Sequence, residues 1–175
     1  MYAQEYIDYL VHFHGDRDYF ECHEILEEYW KKVDRGNKES ILVGFILLAV
    51  STYHHRRNNF SGAVRTLIKA TEIFKKQEQK IHSFGLDKEG FFILIQERLK
   101  LMEAQKPYDS MNLPIGDAQL IEACIRTCRM KGFTWGTESD LTNEELIHRH
   151  STRDRSDVIQ ERMQSLKNKQ NKSRE

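Results

Sequence analysis

The stretch YFECHEILEEYWKKV, residues 19–33, decides the fold that we predict for this chain. Apolar and aromatic side chains recur in it every three or four residues, at Tyr19, Cys22, Leu26, Tyr29, Trp30 and Val33. A β-strand has a period of two residues and cannot produce this spacing, whereas one face of an α-helix does. Asp16 or Asp18 is suited to cap the start, and Gly36 follows the end. The stretch therefore predicts an amphipathic helix.

The helical period continues along the rest of the chain. The segment from Ile41 to Arg57 is apolar on every side for its first ten residues, which predicts the central and most buried helix. Further helices are predicted over Phe60–Phe74 and after the residues Asp87, Asp117, Thr142 and Ser156. The alternation of β-branched residues that is typical of strands does not occur. The sequence predicts an all-α fold of antiparallel helical hairpins that form a small bundle, with a C-terminal helical extension.

The length of 175 residues suits one compact domain. Both prolines, Pro107 and Pro114, bracket a non-helical connector, so we predict a helical core domain over 1–105 and a helical extension with a polar, basic tail over 106–175. The neutral total charge hides an asymmetry: residues 1–30 carry a net charge of −7, and residues 148–175 carry +4. The two ends are expected either to attract each other or to face different partners.

Several classes of protein are disfavoured by composition. Three cysteines without a C-x-x-C pair predict neither a disulfide framework nor a thiolate zinc site, and the default location is a reducing cytosol. The longest apolar run, 41–50, is shorter than the roughly 20 residues that span a bilayer. Nucleotide-binding and nucleophile motifs are absent, and the basic tail lacks interleaved aromatic residues. We expect a cytoplasmic protein that has no cofactor and binds neither membrane nor nucleic acid.

One polar cluster stands out in the first predicted helix. His23 and Glu27 lie one turn apart at the edge of its apolar face, between the aromatic residues Phe20 and Trp30. Removing water from an unpaired carboxylate is costly, so both groups need partners. In a helical hairpin, the end of the 41–57 helix returns beside His23. The candidate polar site therefore comprises Glu21, His23, Glu24, Glu27, Trp30, Tyr53 and His54.

Two interpretations of this cluster remain open. In the first, His23, Glu27 and His54 form a buried network that fixes helix register and binds no ligand. In the second, they line a pocket for a ligand or a metal ion, because two histidines and one carboxylate form a known donor set. An H-E-x-x-H motif would need a histidine where Glu27 stands, and a four-helix di-iron site would need Glu-x-x-His pairs. We assign no metal and no catalytic residue from sequence.

Three motifs in order carry a resemblance to a known family. They are Y-x-E-x-H-E-x-L-E-x-x-W from Tyr19 to Trp30, A-x-x-x-Y-H from Ala49 to His54, and G-A-x-x-x-L-x-x-A from Gly62 to Ala70. The chain thus resembles the domain of unknown function 309 family, and the residues after Pro107 resemble the extension of its longer Bacillus-type members. The resemblance implies a small all-helical domain without an established activity. Six residues map onto the hallmark positions: Glu21, His23, Glu24, Glu27, Trp30 and His54.

The function that we predict is a binding or assembly module using the face of His23, Glu27 and Trp30. The extension is expected to contact a protein partner or a second copy of the chain, and the segment from Asn59 also resembles the second helix of a tetratricopeptide-type hairpin. The alternative is a metal-dependent or acid/base hydrolase-like enzyme. In that alternative, Glu27 or Glu24 is the base, and His23 and His54 are ligands or proton carriers.

Overall fold

The computed structural model describes residues 1–152 and 156–172, and within them the predicted all-α fold is confirmed. The only β-type pairing among these residues is an isolated bridge between Leu86 and Ile115. None of the described helices combines the length and the apolar content needed to cross a membrane. The helices are α1 (Gln4–His14), α2 (Tyr19–Val33), α3 (Ile41–Arg56), α4 (Phe60–Lys76), α5 (Glu78–Ile81), α6 (Lys88–Glu103), α7 (Ala118–Lys131), α8 (Glu144–Ile147), α9 (Arg149–Thr152) and α10 (Ser156–Lys172), with a 3₁₀ turn at His82–Phe84.

Helix α1 is a core element that the sequence analysis did not predict. Its residues Tyr6, Tyr9, Leu10 and Phe13 follow the helical spacing of three and four, and all four are buried. The Tyr9 hydroxyl donates a hydrogen bond of 3.0 Å to the carbonyl oxygen of Phe45 in α3. The acidic N-terminal region is therefore anchored in the centre of the molecule by its aromatic residues.

Successive helices pack as antiparallel hairpins. Gly44 in the first half of α3 lies against the ring of Phe74 near the end of α4, and the Ser51 hydroxyl, further along α3, donates to the carbonyl oxygen of Ala63 near the start of α4. Helix α2 begins at its cap Asp18, whose carboxylate accepts from the backbone N–H of Glu21. Arg56 at the end of α3 donates to the carbonyl oxygen of Arg17 just before α2, which places the start of α2 and the end of α3 at the same end of the bundle.

The predicted core and the predicted extension share one apolar core. Tyr108, Met111 and Leu113 from the connector, together with Cys124 and Cys128 from α7, belong to the same buried cluster as the residues of α1 to α6. The division into 1–105 and 106–175 stays a prediction, because shared packing does not show which part folds alone. Part of the predicted basic tail, residues 153–155 and 173–175, lies outside the described residues.

Candidate functional site

Three of the predicted polar residues form one cluster on α2. The ring nitrogen Nδ1 of His23 lies 3.0 Å from Oε1 of Glu24, and Nε2 lies 3.3 Å from Oε2 of Glu27. One ligand atom from each residue falls within 4.8 Å of the other two. The side chains are 25%, 29% and 34% exposed, so water reaches all three. The cluster combines an imidazole and two carboxylates on a single helix.

The carboxylate of Glu27 is held from two sides. Its Oε2 faces His23, while its Oε1 lies 3.0 Å from Nζ of Lys31, one helical turn further on. The adjacent pair of Glu28 and Lys32 has the same spacing and a distance of 2.9 Å, on the exposed side of the helix. This second pair contacts no histidine in the described ion pairs, which makes Glu28 a matched control for Glu27.

Tyr53 and His54 take separate positions and do not complete the cluster. The ring of Phe20 lies between His23 and Tyr53, with a centroid distance of 6.1 Å to each ring. Nδ1 of His54 instead accepts from the side-chain amide of Asn59, the cap of α4, at 3.1 Å. Consecutive residues point about 100° apart on a helix, so Tyr53 and His54 cannot both face α2. Burial, and then the charge of Arg57, lower the pKa of His54.

Trp30 and Glu21 lie at the two ends of the predicted face. The indole N–H of Trp30 donates to the carbonyl oxygen of Asn37 at 3.1 Å, and its half-buried ring therefore stabilises the turn that leads into α3. Glu21 belongs to the first turn of α2, and its backbone N–H is bound by Asp18. The predicted face is thus a helix surface with His23 and Glu27 near its middle and structural contacts at its ends.

A cavity of about 760 Å³ separates α2 from α10. The α2 wall includes Glu21, Glu24 and Glu27. The opposite wall consists of polar α10 residues, namely Glu161, Gln164 and Ser165. The carboxylates of the α2 cluster therefore border a hydrophilic space that is large enough for water and small ions.

The C-terminal region contacts the same end of the bundle. The Tyr53 hydroxyl accepts from the backbone N–H of His150 at 3.2 Å and lies 2.5 Å from Nδ1 of that residue. Arg149 pairs with Asp18 at 3.3 Å. Burial raises the pKa of the Asp18 carboxyl, and Arg149 opposes this shift. These contacts were not predicted from sequence, although the opposite net charges of the two chain ends were a signal for them.

Two buried arginines were also missed. Arg17 is 1% exposed, and its guanidinium donates to the carbonyl oxygens of Phe13, Met111 and Thr137. Arg56 lies over the Tyr19 ring at 4.6 Å and donates to the carbonyl oxygen of Arg17 at 2.7 Å. Arg17 is the single basic residue among the eight acidic ones of residues 1–30, which is the signal that sequence offered. Both arginines join the chain segments around the start of α2.

Comparisons with known proteins agree with the resemblance seen in sequence. The sequence profile of the family described as "Domain of unknown function (DUF309)" matches residues 6–66, which include α2 and α3. The chain is 46% identical to the uncharacterized protein YpuF of Bacillus subtilis strain 168 over 175 residues, the full length of both chains. No solved structure matches the chain. On the strength of the profile match over α2 and the full-length relative, the chain belongs to the DUF309 family.

Proposed function

We propose that this protein is a binding module and that His23, Glu24 and Glu27 on α2 bind one divalent transition-metal ion. The observation that carries the proposal is the approach of three ligand atoms to within 4.8 Å of one another. Imidazole nitrogen and carboxylate oxygen are the donors that zinc, iron and manganese take in proteins. Glu27 lies three residues after Glu24 and four residues after His23, so its carboxylate is a helical neighbour of both side chains.

The contacts of the His23 ring favour a cation at this position. Both ring nitrogens face carboxylate oxygens, at 3.0 Å and 3.3 Å. A neutral imidazole has one N–H, so one nitrogen lone pair then faces a carboxylate lone pair. A cation between the two atoms removes this repulsion. The proton and the metal ion are the two candidates, and the partial exposure of the three side chains leaves room for water to complete a metal coordination shell.

Lys31 is part of the proposed site as a counter-ion. Its ammonium lies 3.0 Å from Oε1 of Glu27 and balances that carboxylate. A divalent ion takes over this role when it binds, and the exposed lysine side chain is free to turn into water. Lys31→Ala is therefore expected to strengthen metal binding, because one competing cation is removed.

The test is isothermal titration of the full chain with zinc or manganese chloride after dialysis against a chelator. We expect one ion per chain, and we expect Glu27→Gln and His23→Ala each to weaken binding by at least about tenfold, since each removes a ligand. Glu28→Gln is the matched control, because Glu28 has the same i, i+4 lysine partner without the histidine. Its affinity should equal that of the parent chain.

Thermal melting of the same variants separates the proposal from a purely structural role. A bound ion raises the melting temperature of the parent chain through mass action, and Glu27→Gln loses this rise. If the parent chain binds no ion, and His23→Ala and Glu27→Gln lower only the melting temperature, then the cluster is a polar network that fixes α2. That result would overturn the proposal.

A metal-dependent hydrolase is the second candidate, and the open side of the cluster favours it. Three protein ligands would leave a coordination position for water, and a bound zinc ion would lower the pKa of such a water molecule to about 7. Glu24 and Glu27 border the cavity from which a substrate would approach. Hydrolysis of a p-nitrophenyl ester or phosphate by the zinc-loaded chain, lost in His23→Ala, would support this candidate. Metal binding without turnover would contradict the hydrolase and support the binding module.

The proposal places the module in a reducing cytosol. Support comes from Cys22, Cys124 and Cys128, which are free thiols buried in the core. Burial raises the pKa of each thiol, so these groups remain protonated and unreactive at neutral pH.

A further inference from the structure

Helix α10 has an apolar stripe that no described part of the chain covers. Ile159, Met163 and Leu166 are spaced by four and three residues, and they fall within an arc of about 60° on a helical wheel. They are 56%, 55% and 60% exposed. The spacing is that of a heptad seam, in which such residues pack against another helix.

Helix α10 turns its polar side toward the body of the protein, whereas a helix that packs only on its own chain turns its apolar side inward. The polar α10 residues Glu161, Gln164 and Ser165 border the cavity against α2, and Glu161 and Ser165 lie on the far side of the helix from Met163. An amphipathic helix normally turns its apolar stripe toward the body of the protein. The reversed orientation of α10 leaves the stripe available to a partner.

The width of the stripe favours a helix over a lipid surface. Arg162 on one side and Lys167 and Gln160 on the other leave only a narrow apolar seam between them. Helices that lie on membranes have a broad apolar face that enters the acyl boundary, whereas a narrow seam at a and d positions is typical of helix pairs. The partner is therefore expected to be another amphipathic helix.

The charges beside the stripe decide between a second copy and a different protein. Arg162 borders the stripe on one side and Lys167 borders it on the other. A parallel pair of α10 helices would place Arg162 beside Lys167 of the second copy, and an antiparallel pair would place the two Arg162 residues together. Both arrangements bring like charges close, which disfavours self-pairing. A partner helix with acidic residues beside its seam would instead place opposite charges next to Arg162 and Lys167.

We infer that α10 docks an amphipathic helix of a partner protein whose apolar seam is bordered by acidic residues. The test uses two labelled synthetic helices of about three heptads, with leucine at both seam positions and either Glu or Lys at the bordering positions. Fluorescence anisotropy with the full chain should give at least about tenfold tighter binding of the Glu peptide. The double variant Arg162→Glu with Lys167→Glu should reverse this preference.

Two single variants keep the test specific to the seam. Met163→Asp puts a charge into the seam and should weaken binding of the Glu peptide by at least about tenfold. Asn168→Asp adds the same group on the opposite side of α10 and should leave binding unchanged. Circular dichroism of each variant checks that the helix content is retained.

The results that would overturn the inference are distinct from those that concern the metal site. Equal affinity for both peptides, or binding of neither, contradicts the charge-matched seam. So does a dimer in sedimentation that Met163→Asp dissociates, or co-sedimentation with phosphatidylserine vesicles. Metal binding at α2 is measured separately, so either proposal can fail without the other.

Discussion

At the residue scale, buried polar side chains hold distant segments of the chain together, and His14 is an example. Its ring Nδ1–H donates to the carbonyl oxygen of Leu10 at 2.8 Å, and its Nε2 accepts the backbone N–H of Leu113 at 2.9 Å. The ring also stacks on Trp135 with a centroid distance of 4.4 Å. Both nitrogens are thus matched to the neutral ring, and burial lowers the pKa of His14 to about 3.

This pKa predicts a loss of stability in acid. The unfolded chain takes up a proton near pH 6.5, whereas the folded chain takes it up only near the lowered pKa of about 3. The free energy of unfolding should therefore fall as the pH drops from about 6.5 toward 3, with a contribution from His14 of up to about 1.4 kcal/mol per pH unit. Urea unfolding at a series of pH values measures this slope.

His14→Gln is the informative variant, because glutamine retains one donor and one acceptor and does not titrate. We expect it to be less stable than the parent chain at pH 7 and to have a flatter pH dependence. His82→Gln, on the surface, is the control and should keep the parent slope. A His14→Gln curve parallel to that of the parent chain would contradict the assignment.

At the scale of elements, the crossing of α3 and α4 depends on a glycine. A Cβ atom at Gly44 would lie 2.7 Å from Cε1 of Phe74, closer than real Cβ contacts. Phe74 has little room to yield, since its ring is fully buried and packs edge-on against Phe45 and Phe91 at 5.1 Å and 4.9 Å. The close approach of the two helices is therefore possible only without a side chain at this position.

Gly44→Ala is accordingly expected to destabilise the protein by about 1–3 kcal/mol through overpacking, although alanine has the better helix propensity by about 1 kcal/mol. A double-mutant cycle with Phe74→Leu, read by urea unfolding, checks the cause. The smaller side chain should relieve the clash, so the double variant should lose less stability than the sum of the single variants. Strict additivity would show that Phe74 is not the obstacle.

At the scale of the whole molecule, the connector and α7 complete the apolar core that α1 to α6 form in part. Tyr108 and Met111 lie in the common core, and the carbonyl oxygens of Met111 and Thr137 accept from the buried Arg17. A chain that ends at residue 105 would leave that guanidinium without these acceptors, and an uncompensated buried charge is strongly destabilising. The predicted division at 105/106 can be tested on this basis.

We expect deletion of residues 148–175 to leave a folded chain with cooperative thermal unfolding, because the side chains described there, 148–151 and 159–168, are mainly exposed or form the partly exposed pairs of Arg149 and His150. Deletion of residues 106–175 should abolish cooperative unfolding. Circular dichroism melting of both truncated chains measures this. Loss of the helical signal in the shorter deletion would contradict the expectation, and a cooperative 1–105 chain would support the predicted core domain.

The sequence by itself determined the helical class and most of the helices, because a period of 3.6 residues is a local property of the chain. It also determined that His23 and Glu27 share one side of α2, since a spacing of four residues is one helical turn. Glu24 was expected on the solvent face, and only the structure shows its Oε1 at 3.0 Å from Nδ1 of His23. The exception among the early elements was α1, whose aromatic spacing carried the signal but was not used.

Only the tertiary structure decided which groups the remaining polar side chains and α10 contact. His54 turns to Asn59 and away from His23, Arg17 finds acceptors at Met111 and Thr137 about a hundred residues away, and α10 turns its polar side to α2. Each of these outcomes depends on the rotation and docking of whole helices. Local periodicity states which residues share a face, but the packing of all helices around one core sets what that face meets.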